Sequence, residues 1–135
     1  MTETKKTSLS AGLAVYAVLK EALKDKVTKV YPVVATEDAV MPFLVYRRTG
    51  VRSNPSKVGT CFDSSVIELS VFSKDYGEGV EIIEAARSTL ENKTIRCTKE
   101  KDGFDMVVGC TQMTDCEEIW DGDCYRQDLT IECKI

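Results

Sequence analysis

VYPVVATEDAVMPFLVYRRTG, residues 30–50, decides how the rest of the chain is read. Residues 27–34 are rich in β-branched side chains around Tyr31 and predict a short strand. Pro32 has no amide to give to a ladder, so this strand is an edge or ends there. ATEDAVM is a polar connection. Pro42 then opens a second strand over residues 43–52. Alternation puts Phe43, Val45 and Arg47 on one face and Leu44, Tyr46 and Arg48 on the other. Both faces begin apolar and end charged. The strand is therefore rooted in a core and runs outward to solvent or to a partner.

Working outward, residues 50–59, GVRSNPSKVG, carry Gly, Asn-Pro and Ser and read as a flexible connection. Arg47, Arg48, Arg52 and Lys57 together form a basic projection. Residues 61–73 return as a third strand, with Ile67, Leu69 and Val71 on one face and Glu68 and Ser70 on the other. Two long strands joined in this way predict an extended antiparallel hairpin. A helix precedes this unit. It is capped at Ser8 or Ser10, runs to about residue 25 and buries an arc of Val15, Tyr16, Val18, Leu19, Ala22 and Leu23. A second helix follows, from the capping-box pattern Asp75-x-x-Glu78 to about residue 92, with Asn92 as a left-handed terminator. Its arc is Ile82, Ile83, Ala85, Ala86, Thr89 and Leu90.

The C-terminal third reads as a short strand at 95–98, a turn at KEKDG and a strand at 104–113. An acidic, turn-like TDCEEIWDGD follows, then a last strand at 124–135. Leu129, Ile131, Cys133 and Ile135 alternate there with Asp128, Thr130, Glu132 and Lys134, the mark of a half-buried strand. The order is α-β-β-β-α-β-β-β. The fold class is α+β: a mainly antiparallel sheet with two helices on one face and a long hairpin between its second and third strands. The chain of 135 residues is read as a single domain, with residues 1–7 polar and disordered.

Composition narrows the function. The net charge of −4 argues against a dedicated nucleic-acid binder. The charge is unevenly spread. Residues 1–60 hold ten Lys/Arg against five Asp/Glu, and residues 61–135 hold eight against seventeen, so the halves carry +5 and −9. A basic face on one molecule meeting an acidic face on the next would make a head-to-tail contact, which closes into a ring or extends as a filament. The alternative is that both are solvated faces without a partner. No apolar run reaches the ~18 residues of a membrane span, and the N-terminus lacks the apolar core of a secretion signal. The expectation is a non-secreted start with its six cysteines reduced. Cys97 and Cys133 fall on apolar strand faces and read as small hydrophobes.

No pattern of catalysis emerges. The chain has no histidine, the usual general base for a serine or cysteine nucleophile. Gly77 and Gly79 lack both the P-loop lysine and the dinucleotide-binding spacing. Asp115, Glu117, Glu118, Asp121 and Asp123 are the best metal candidates, yet they lack the calcium-loop spacing and its terminal bidentate Glu, and read as a solvated turn. Glu117, Glu118, Asp121 and Asp123 remain as a candidate acidic interface, opposite in charge to the basic projection. Trp120 and Tyr125 flank the last turn and suit cross-strand packing or an interface anchor. No catalytic, cofactor or metal residue is assigned.

In order and spacing, the pieces resemble the tail-completion, or tail-terminator, family of tailed phages and prophages. The matching segments are LAVYAVLKEALKD, the VYP-loop-MPFLVYRRTG stretch, SSVIELSVFSKDYGEGVEIIEAARSTLEN and the ending WDGDCYRQDLTIECKI. The resemblance runs from about residue 9 to 135, with a poor match over 93–123 and an unusual number of cysteines. It implies a non-enzymatic virion protein, assembled in the bacterial cytoplasm. Such a protein caps the tail tube and takes part in head–tail joining as a hexameric ring around the DNA channel. The implied partners are its own copies, the tail-tube protein and head connector proteins, with non-specific proximity to DNA and no membrane. The alternative is a small cytosolic protein-binding adaptor without catalytic activity, using the acidic turn and Trp120.

Overall fold

The alternating run that follows the hairpin connection becomes the spine of the sheet. In the computed structural model, which describes residues 7–55 and 61–135, β3 (Cys61–Ser73) lies between β2 (Phe43–Pro55) and β7 (Tyr125–Lys134). β1 (Val30–Pro32) and β6 (Cys110–Trp120) close the two sides, giving the order β1-β2-β3-β7-β6. All pairings in this sheet are antiparallel except β1 on β2, where Val30 stands opposite Leu44 and Pro32 opposite Tyr46. The expected edge position of the Pro32 strand is observed. Residues 1–6 and Lys57 lie outside the described residues.

One face of the sheet is the core. Leu44, Ile67, Leu69, Val71, Leu129 and Ile131 point to it, and each is at most 2% exposed. Burying a side chain of this size contributes about 1.5–3 kcal/mol, so this face dominates stability. Two helices cover it. A 3-10 turn (Ser8–Ser10) leads into α1 (Ala11–Ala22), which buries Ala11, Ala14, Val15 and Leu19. α2 (Tyr76–Leu90) buries Ile82, Ala86 and Leu90. α1 packs on α2 and β2, and α2 packs on β7 and β3. The expected arcs hold, Leu23 included, with one exception: Ala22, the last residue of α1, is exposed.

Capping follows the sequence pattern with a substitution of partner. Asp75 accepts a hydrogen bond from the amide of Glu78 at 2.9 Å. The carboxylate of Glu78 does not return to the Asp75 amide. It accepts from the hydroxyl of Ser73 at 2.8 Å, and Ser73 Oγ takes the Asp75 amide at 3.1 Å. Asn92 adopts the expected left-handed conformation, with φ of 57°.

The C-terminal third departs from expectation in three places. The KEKDG turn is a one-turn helix, α3 (Lys99–Asp102), because Thr98 accepts from the Lys101 amide and Gly103 supplies a left-handed end. The expected strand 104–113 divides at Gly109 into β5 (Met106–Val108) and the start of β6. β5 pairs with β4 (Ile95–Cys97) as a separate ribbon packed on α1. Most of the acidic TDCEEIWDGD segment is strand and not turn, since β6 runs to Trp120. Only residues 121–124 form the connection, with Gly122 at φ 82°.

Candidate functional site: the charged edges of the sheet

The basic residues are placed by β2 and its bulge. Arg47 projects from the face that carries no helix, its Nη2 3.5 Å from Glu68 Oε1. Arg48 projects on the helix side, where Nη1 donates to the Leu9 carbonyl at 2.7 Å and ties the start of the chain to the strand. Arg47 and Arg52 are an odd number of residues apart, so a regular strand would send them to opposite faces. A register shift between Arg48 and Gly50 inserts one residue and stands Arg52 opposite Ser64, on the same face as Arg47 opposite Glu68. The bulge thus brings Arg47 and Arg52 together and leaves Arg48 apart.

The acidic residues are divided in the same way. Glu117 stands opposite Asp128 on the open face. Glu118 lies on the helix side, accepting from the Tyr76 hydroxyl at 2.8 Å and from Gln127 Nε2 at 3.2 Å. The adjacent Glu118 carboxylate pushes the Tyr76 hydroxyl above the usual tyrosine range. Asp121 and Asp123 sit in the exposed turn. Among the described residues, no three carboxylate, thiol or imidazole groups are grouped to hold a metal ion. Trp120 and Tyr125 form the expected cross-strand pair, with ring centroids 4.9 Å apart, and Trp120 is 59% exposed.

A polar centre on the open face escapes sequence reasoning. Asp128 is only 8% exposed. It accepts from Ser70 Oγ at 2.8 Å and from Arg126 Nε at 3.1 and 3.2 Å. With Arg47, Glu68 and Glu117 these residues line a basin of about 370 Å³. Two arginines against three carboxylates give it no strong preference for either sign of ligand. The available signal was Arg126-x-Asp128 on one strand face, with Ser70 facing it only through pairing of β3 and β7. A second hollow of about 340 Å³ runs between α2 and β6, with Val80, Ile83, Met113 and Leu129 among its walls.

Cys97 and Cys133 are buried, as their strand faces imply. Burial pushes the Cys133 thiol up to about 12, so it stays protonated and packs as a hydrophobe. Cys97, Cys110, Cys116, Cys124 and Cys133 are all free thiols. No helix among the described residues is long and apolar enough to cross a membrane.

No family model and no curated protein matches the chain. Among solved structures, the fold is similar to that of a chain in the virion of a native gene transfer agent (GTA) particle. The TM-score is 0.62 at 14% identity, over 87% of this chain and 84% of that one. At that identity the likeness concerns the fold.

Proposed function

We propose that this chain is a non-catalytic structural protein of a phage-like virion. In this reading it is a tail-completion protein that forms a hexameric ring on the end of the tail tube, stops its growth and offers the surface to which head connector proteins join. It assembles in the bacterial cytoplasm and ends in the virion. The observation that carries the reading is the likeness to a GTA virion chain over most of both chains. The ordered resemblance of residues 9–135 to tail-completion proteins narrows it from virion protein to tail end. The segregated charge of the two sheet edges supports self-association.

Incubation of the purified chain with assembled tail tubes tests the function. Electron microscopy should show density at one end of each tube and an arrest of further growth. Tubes that neither bind the chain nor change in length distribution would overturn the tail-end role.

A further inference from the structure

A strand at the side of a sheet exposes backbone amides and carbonyls that want partners. This sheet has two such sides of unlike charge. β1 covers β2 only at residues 44–46, so from Arg47 to Ser53 the outer edge of β2 pairs with no described strand. On the far side, the Asn92 amide donates to the Thr111 carbonyl and covers the start of β6. Beyond the irregularity between Met113 and Asp115, its outer edge pairs with no described strand as far as Trp120. Each open stretch is seven residues long, residues 47–53 and 114–120, or about 24 Å at roughly 3.4 Å per residue.

Backbone direction can be read at both edges. The Leu44 amide donates to the Lys29 carbonyl and the Tyr46 carbonyl accepts from Val33. Alternation then aims the polar backbone groups of Arg48 outward as well. The Asp121 amide donates to the Cys124 carbonyl, toward β7. By the same alternation Cys116, Glu118 and Trp120 aim outward. The Cys116 amide donates to the side chain of its neighbour Asp115 at 2.9 Å.

Charges commonly protect an edge against pairing. Here they are sorted by sign. The β2 edge carries Arg47, Arg48 and Arg52 with no acid, and the β6 edge carries Asp115, Glu117 and Glu118 with no base. Like edges repel, which disfavours two-fold dimers through either strand. Unlike edges attract. The faces also agree: Arg47 and Arg52 share the open face with Asp115 and Glu117, while Arg48 and Glu118 both lie on the helix side.

We propose that residues 47–53 of one copy pair as a strand with residues 114–120 of a second copy, extending the sheet from subunit to subunit. The contact is heterologous and closes into a ring when its rotation permits. It takes from the proposed function only the idea that the chain meets its own copies, and it does not need the virion role.

Charge reversal with mass action tests the pairing. At millimolar concentration and moderate salt, sedimentation equilibrium should show the chain associating. Arg52→Glu and Glu117→Arg should each weaken association about tenfold, as cross-strand attraction becomes repulsion. An equimolar mixture of the two variants should recover it, because the reversed edge of one variant suits the reversed edge of the other. Amide exchange in the assembled state should slow at both 47–53 and 114–120. A strict monomer, a mixture that does not recover, or an assembly in which either edge exchanges as freely as in the monomer would each overturn the pairing. Tail-tube binding that survives such a result leaves the proposed function standing. Tube binding absent while the edges pair removes the function alone.

Discussion

The two faces of the sheet are built from the same strands and do different work. Behind β2, β3 and β7, on the helix side, Leu44, Leu69 and Leu129 are almost wholly excluded from water. On the open side, the neighbours of those residues are Val45, Ser70 and Asp128, two of them polar and joined by a hydrogen bond. Phe43 and Phe72 stack there at 4.9 Å, so the open face is not simply a wet surface. The contrast separates what holds the fold from what is left for a partner. A sheet covered on both faces could present only its rims, whereas this one keeps a face of mixed character without a helix on it, and two charged edges.

The comparison breaks most readily at Leu69. Leu69→Ala removes a fully buried side chain from the core on the helix side, and should cost about 3 kcal/mol in urea denaturation. Val45→Ala, one strand away on the open face, should cost about 1 kcal/mol, since much less area leaves water there. Equal losses at the two sites would mean that the open face is as firmly packed as the core.

Asp128 sharpens the point at the next level of effect. It is the most buried charged group on the open face, held by Ser70 and by Arg126. Asp128→Ala leaves the partly buried Arg126 without its carboxylate, and a hydrogen bond to a charged group is worth about 2 kcal/mol. Denaturation of Asp128→Ala and Arg126→Ala, singly and together, measures the coupling. A double variant no worse than either single one would show that the pair acts as a unit. Full additivity would show that the polar centre is only a set of solvated charges.

The same contrast explains what the sequence disclosed. β3 and β7 are covered on one face, so Ile67, Leu69 and Val71 and then Leu129, Ile131 and Cys133 alternate cleanly with polar residues. Their elements are legible for that reason. β6 is an edge that is exposed on every residue from Thr114 to Glu118. No buried face imposes a period of two there, and the segment reads as an acidic turn. α3 is too short for a helical period and is set by Thr98 and Gly103 alone. The charged residues of the candidate site were visible one by one. Their sorting was not, because the placement of Arg52 depends on the bulge after Arg48, and that of Glu117 and Glu118 depends on β6 being a strand. The buried Asp128 centre needs the β3–β7 register, which no local pattern encodes.

The smallest effect belongs to the edges. Arg52 is exposed beyond the bulge, and Glu117 is exposed at mid-strand on β6. Neither lies on the covered face. In dilute protein, where subunits are apart, Arg52→Glu and Glu117→Arg should each change unfolding free energy by no more than about 0.5 kcal/mol, the range of ordinary surface substitutions. Glu117 is the more demanding test, because it stands opposite Asp128 on the neighbouring strand. An arginine there gains an attractive cross-strand neighbour in place of a repulsive one, so the shift should be toward greater stability. A loss from Glu117→Arg as large as that from Asp128→Ala would place the edge inside the polar centre. The same substitution could then no longer separate folding from assembly, and the division between a stabilising face and an available one would fail at β6.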